Sequence, residues 1–422
     1  MYYRILKFLL PCSLFIFPKV ILAQYQFTVT PSIYLSGQYD DNVFLDDTDE
    51  VEDYLTMVSP GISLDIASNA NSFTISYSPT FVWYYYGTSE DTIRHLASLA
   101  AGFNLTERLR FDLTNSYIQS EDPIEVSEDV DFPRDSRATY YRNTLDTSLG
   151  YQFGPENSFL LGYTHSLLVN EDPTVDDREI LNPYANFTYW FNVKNGIEID
   201  YSYRYVDYTR NDSINSPDNY SISNPAISYF RRFSPRTTFS VNYVYTESFY
   251  DDDIENYRIH DVYLGLAHSF SNTLLLDINY GYAMRNNEET ENDIISIYRV
   301  SLEKLFNRGS FIIGAESSYR DDFWEVYSQG LVRYWRAETT FDYQLLENTS
   351  FYAGASYTYD EGEDDWNRGV TSARTGLTQT FLRWFTAGLS YSYTMSDDDI
   401  VGAGYKVNRV MLTLGASRPY RL

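Results

Sequence analysis

Four histidines, His95, His165, His260 and His268, are the first place to look for general acid–base or nucleophilic chemistry. A serine nucleophile needs a base in hydrogen-bond reach and a third group that orients the base. His165, in the stretch Phe159 to Leu167, takes an inward position by the alternation described below, and serines abound nearby. His95 stands at the start of a strand, beside a loop. Serines are so frequent in these stretches that proximity alone makes no dyad, and no enzymatic activity is expected. No His-x-x-x-His spacing and no phosphate-binding glycine loop occurs, so no metal and no cofactor is expected. The acidic runs Asp251-Asp252-Asp253, Glu363-Asp364-Asp365 and Asp397-Asp398-Asp399 offer hard oxygen ligands. They lack the spaced ligands and fixed glycine of a calcium loop, and read as solvated loops.

A second set of charges stands singly among apolar neighbours: Arg110, Asp112, Asp146, Glu198, Asp200, Arg204, Asp277, Arg299, Glu303, Arg374 and Arg409. Such groups set selectivity when they line a water-filled passage. They can also pair across strands and stiffen a wall.

The elements that position them alternate with period two, which puts successive side chains on opposite faces of a strand. In 197–205, Ile197, Ile199, Tyr201, Tyr203 and Tyr205 alternate with Glu198, Asp200, Ser202 and Arg204. In 274–282, Leu274, Leu276, Ile278, Tyr280 and Tyr282 alternate with Leu275, Asp277, Asn279 and Gly281. A charge at a lipid-facing midplane position costs about 2–4 kcal/mol, so the charged face must point inward. The pattern predicts an all-β, transmembrane, antiparallel barrel with lipid outside and water inside.

The connections are of two kinds. Short ones include Lys194-Asn195-Gly196, Ser234-Pro235-Arg236 and Asn307-Arg308-Gly309, rich in the residues tight hairpins need. Long acidic ones include 40–53, 119–136, 207–219 and 286–293. About ten long loops and nine short turns give roughly 20 strands (18–20), with short periplasmic turns and long acidic extracellular loops. Val410, Leu412, Leu414 and Ala416 form a last strand that could close against the first. Trp190, Trp384, and the run Trp83, Tyr84, Tyr85 and Tyr86 fit two interfacial aromatic girdles.

Composition bounds the alternatives. Mean hydropathy is −0.38, and after the N-terminus no window approaches the ~18 apolar residues of a membrane helix. A net charge of −28 lacks the basic footprint of nucleic-acid binding. Arg4 and Lys7, the apolar stretch Leu9 to Phe17, and Ile21-Leu22-Ala23 read as a cleaved secretory signal. Residues 1–23 would then be leader and 24–422 the barrel, in the outer membrane of a Gram-negative bacterium. Cys12, the sole cysteine, falls within that leader.

Pro31-Ser32-Ile33-Tyr34 running into Tyr39-Asp40-Asp41-Asn42-Val43-Phe44, then Val58 to Leu64, and the tail Leu412 to Tyr420 resemble the β-barrel porin 2 group of outer-membrane proteins. The resemblance covers essentially the whole mature chain through short motifs. It implies association with exopolysaccharide or exosortase systems, and no catalytic residues. The expected partners are outer-membrane lipids and lipopolysaccharide, the β-barrel assembly machinery, the polysaccharide itself and periplasmic export proteins. The expected role is export of an exopolysaccharide across the outer membrane, and two others fit the same residues: a porin for small hydrophilic solutes, and a structural or adhesive surface barrel.

Overall fold

The computed structural model describes residues 25–123, 137–173, 175–209, 219–251, 256–287, 292–324, 327–362, 366–399 and 404–422, with the side chains of 321–330 outside that description. The segment read as a leader, and the runs 252–253 and 363–365 discussed above, lie outside the described residues.

Twenty strands run in order. The first ten are β1 (Gln26–Asp40), β2 (Asp53–Ala67), β3 (Asn71–Tyr84), β4 (Thr92–Asn104), β5 (Leu109–Ser120), β6 (Tyr140–Gln152), β7 (Ser158–Asn170), β8 (Asp177–Asn192), β9 (Asn195–Thr209) and β10 (Tyr220–Ser234). The rest are β11 (Thr237–Tyr250), β12 (Tyr257–Ser271), β13 (Leu274–Asn287), β14 (Asp293–Phe306), β15 (Gly309–Trp324), β16 (Tyr327–Leu346), β17 (Thr349–Glu361), β18 (Asn367–Phe381), β19 (Phe385–Asp398) and β20 (Tyr405–Ser417). Beyond Pro419, Tyr420–Arg421 pairs with Val29 and Thr28 of β1. Each strand is antiparallel to its sequence neighbours. β20 pairs with β1 from Ser417 opposite Ser32 to Arg409 opposite Asp40, and so closes the sheet. The expected strand number, the alternation of turns with loops and the closing strand are all found. Closure leaves no free edge to recruit another chain.

Register fixes the two faces. One carries exposed apolar side chains, such as Ile33, Leu35, Ile62, Leu264, Leu389 and Leu412. On the other, residues of non-adjacent strands meet: Val206 of β9, Ala283 of β13 and Ile297 of β14 share one buried cluster. Contact between non-adjacent strands requires the concave side, so that face is the interior. The outer apolar side chains form a band. At the short-turn end it begins with stacked rings, Phe153 on Phe187 at 5.9 Å and Phe381 on Phe385 at 5.7 Å. Toward the long loops it ends in tyrosines such as Tyr243, Tyr282 and Tyr391.

Prolines interrupt the ladder in mid-strand. Proline cannot donate a ladder hydrogen bond and is normally kept to edges or bulges. Between β2 and β3 the pairing stops at Val58 opposite Phe81 and resumes at Ile62 opposite Tyr77. Pro60 and Pro79 both fall in the gap. There the Ser59 and Thr80 hydroxyls bond across it at 2.7 Å on the inner face. Pro225 of β10 makes a similar gap toward β11, bridged by Asn224 Nδ2 donating to Thr246 Oγ1 at 2.6 Å. Side-chain bonds thus take the place of backbone bonds that these residues cannot make.

Candidate functional site

The register puts Arg110, Asp112, Asp146, Glu198, Asp200, Arg204, Asp277, Arg299, Glu303, Arg374 and Arg409 on the inner face. Most have partners there. Arg110 pairs with Asp112 at 2.6 Å, and Arg299 with Glu316 at 2.9 Å. Asp146 accepts from Thr164 at 2.7 Å and from Tyr184 at 3.3 Å. Glu198 accepts from Thr188 at 3.2 Å, Asp200 from Asn186 at 2.6 Å, and Asp277 from Asn279 at 2.6 Å. Arg204, Glu303 and Arg374 have no ion pair among the described residues, and both arginines are exposed.

Four of these groups, Glu198, Asp200, Asp277 and Arg299, converge with Glu316 on one cavity of about 450 Å³. It spans the inner faces of strands from β9 to β16. Asn242, Asn279, Tyr263, Tyr334 and Phe230 complete the wall. Asp261 also lines it, with one buried carboxylate oxygen lacking a hydrogen-bond partner among the described residues. The volume falls in the range of small-molecule sites, about 300–1,000 Å³. Its chemistry is carboxylate, amide and hydroxyl with aromatic faces, and no metal-holding cluster occurs among the described residues.

Toward the long loops the inner wall changes character. The segment after β5 turns inward, and Glu121, 5% exposed, accepts from Arg94 of β4 at 2.6 Å and from the Tyr84 hydroxyl at 2.8 Å. Asp122 meets Arg409 at 3.0 Å, and Arg409 meets Asp40, fully buried, at 2.8 Å. Arg137, at the other end of the same loop, donates to the Tyr84 hydroxyl at 2.6 Å and to the Val43 carbonyl at 2.7 Å. Three guanidiniums thus balance three carboxylates, which is what burial of charge requires. Val43, Leu55, Met57 and Val82 pack beside them. In the β1–β2 loop above, amides of Thr48 and Asp49 hold the Asp46 carboxyl below the usual carboxylate range.

Three sequence expectations fail on facing. His165 lies on the outer face, opposite Leu145 and Leu181, with Nε2 2.9 Å from Glu179. The strand alternates there, but its polar residues do not keep to one parity: His165 shares the outer set with Leu161 and Tyr163. The other three histidines are also outward: His95 bonds Tyr77, His260 bonds Tyr243, and His268 bonds Thr237. Trp190 is inward, stacked on Phe230 and covered by the Arg232 guanidinium at 3.6 Å. Gly196 opposite leaves room for the indole, 2.7 Å from where a Cβ would stand. Tyr84 is inward and buried, held by Glu121 and Arg137, whereas Trp83 and Tyr85 are exposed. The ionic cluster of Asp40, Arg94, Glu121, Asp122 and Arg137 escaped the sequence reading. Its one signal was Arg137, a cation at the end of an otherwise largely acidic loop.

No family model matches this sequence, and no curated protein matches it. Solved structures do. A variant of the ferric enterobactin receptor of Pseudomonas aeruginosa, solved with enterobactin, superimposes with a TM-score of 0.53 at 8% identity, over 92% of this chain and 81% of the receptor. The siderophore receptor PirA of the same organism gives 0.52 at 8% identity, over 92% and 80%. The ferric citrate transporter FecA gives 0.52 at 13% identity, over 93% of this chain and 78% of the transporter. At such identities the likeness is one of fold: the chain is a closed antiparallel barrel of the kind found in outer-membrane proteins.

Proposed function

We propose that this chain is an outer-membrane channel for hydrophilic molecules, and that an exopolysaccharide leaving the cell is what it passes. The observation that carries the reading is the inner cavity, set within a barrel whose outer face carries an apolar band. Asp261 offers an unpartnered acceptor, Asn242 and Asn279 offer amides, and Phe230, Tyr263 and Tyr334 offer aromatic faces. Sugar rings present hydroxyls at their edges and apolar C–H faces, and this mixture suits both. The outer band suits a bilayer, where every backbone polar group must be satisfied within a closed barrel. With the long loops outward, acidic segments face the medium and lipopolysaccharide, and the short turns face periplasmic export partners. Transport would be driven by gradients or by upstream machinery.

The test is secreted polymer in a clean deletion strain with complementation. Loss of surface polysaccharide, with repeat units retained in the cell, supports the reading; normal polymer levels refute it. A second reading, passage of small solutes, draws on the exposed, unpaired Arg204 and Arg374 on the inner wall. Single-channel conductance with small ions and sugars, and a low size cutoff, would favour it.

A further inference from the structure

The short-turn end repeats one arrangement around the barrel. At each of several turns, a turn carbonyl accepts a backbone hydrogen bond from the strand that follows the hairpin. Four of these carbonyls belong to basic residues. Arg108 accepts from Gln152 at 2.8 Å, Lys194 from Arg232 at 2.8 Å, Arg236 from Ser269 at 2.8 Å, and Arg308 from Gln344 at 2.7 Å. All four side chains are exposed. The brace fixes the backbone of each at the same place in its own hairpin, so the cations stand on a rigid rim. Just within the rim, Arg231 and Lys304 lie on the outer face, paired in register with Phe239 and Phe311. Arg231 stacks on Phe233, and Lys304 Nζ reaches to Thr273 in a turn at 3.1 Å. Long cationic side chains that cover aromatic surface and send their heads to a polar boundary are the mark of a bilayer interface. The turns themselves offer few acids, Glu107, Glu156 and Glu347, and Arg232 already neutralises Glu156 at 2.9 Å. The opposite end is the reverse: loop 41–52 alone holds six acidic residues and no basic one.

We propose that this rim docks onto the phosphates of anionic phospholipids in the leaflet on the short-turn side. The occupant follows from placement. The cations belong to the hairpins β4–β5, β8–β9, β10–β11 and β14–β15, spread over twelve of the twenty strands, a wide arc that a flat leaflet meets all at once. They also adjoin the phenylalanine end of the apolar band, where headgroups meet acyl chains. Positive side chains near an anionic leaflet are attracted within about a Debye length. The inference rests on the membrane reading of the barrel.

The test uses the whole mature barrel reconstituted in vesicles of phosphatidylcholine, with and without phosphatidylglycerol, and then extracted in mild detergent. Lipid kept on the protein is counted by native mass spectrometry. Wild type is expected to retain phosphatidylglycerol over phosphatidylcholine by about tenfold, less at high salt. The triple variant Arg108→Gln/Arg236→Gln/Arg308→Gln should lose most of that preference, and soluble glycerophosphate should not displace the lipid. Equal retention of both lipids by wild type overturns the proposal, as does a preference that salt leaves unchanged or that the folded triple variant keeps. The wild-type salt titration decides the matter even if the variant fails to fold. A barrel that inserts into neither vesicle sinks the membrane reading itself; one that inserts into both without headgroup preference sinks only this inference.

Discussion

Arg409, near the start of the last strand, holds Asp40, at the end of the first, with Nε 2.8 Å from Oδ2 across the seam that closes the barrel. The same guanidinium reaches Asp122, from the loop after β5, at 3.0 Å. One side chain therefore fastens both the closure of the wall and the inward loop.

Removing it should cost more than a surface ion pair. Arg409→Ala leaves Asp40, fully buried, without its nearest cation, and breaking a buried pair from one side costs about 3–5 kcal/mol. The expected outcome is a large drop in the urea midpoint of the detergent-solubilised barrel, followed by the mobility difference between heated and unheated samples. The paired change Asp40→Asn/Arg409→Gln should cost less, because no buried charge is left alone. A midpoint within experimental error of wild type for Arg409→Ala would mean that the seam does not depend on this contact.

Facing separates two residues that look alike in sequence. Arg374 is exposed on the inner wall without an ion pair, and His165 points outward beside Glu179. A unit charge acts with about 1 kcal/mol at 4 Å in water, and reversing its sign doubles the change for a passing ion. Arg374→Glu should shift the reversal potential in a salt gradient toward cation selectivity, as should Arg204→Glu. His165→Leu should leave it unmoved. A shift with His165→Leu, or none with either arginine, would contradict the assignment of faces.

The fold was legible because a two-residue period and the alternation of turns with loops both survive in one dimension. Strand number, closure by β20 and the inward parity of Asp200 and Arg204 follow from them. Parity failed where a strand's polar residues do not keep to one side, as around His165 in β7. Trp190 was misplaced by its nearness to a turn, when its neighbour Gly196 makes room for it inside. The ionic cluster was out of reach for a different reason. Asp40, Arg94, Asp122 and Arg409 come from strands and a loop far apart in sequence, and only curvature of the closed sheet brings them together. The cavity likewise depends on strands β9 to β16 curving toward one another.

The turn between β18 and β19 holds two adjacent residues, Leu382 and Arg383, at φ 50° and 65°. A left-handed conformation costs a side-chain-bearing residue about 1–2 kcal/mol, and asparagine and glycine bear it best. Leu382→Asn with Arg383→Gly should therefore raise stability by about 1 kcal/mol or more, read as a higher urea midpoint. Leu382 is largely exposed, at 76%, so little packing is lost in exchange. A lower midpoint would show that Leu382 or Arg383 makes a contact in the folded barrel worth more than the backbone strain.

The gap around Pro60 and Pro79 is another place where the wall depends on side chains. Ser59 and Thr80 meet there at 2.7 Å, in the stretch where β2 and β3 have no paired register. Thr80→Val keeps the shape and removes the hydroxyl, leaving Ser59 with one partner fewer. A net hydrogen bond contributes about 0.5–1.5 kcal/mol, so the global midpoint should fall by that order. The local effect should be larger than the global one, because the bond spans a gap that has no ladder to share the load. Amide exchange in 57–62 and 77–82 should accelerate in Thr80→Val while the β11–β12 ladder, paired without interruption from Thr237 to Ser248, keeps its protection. Uniform acceleration across both ladders would mean that the barrel opens as one unit and that the proline gap is no weaker than the rest of the wall.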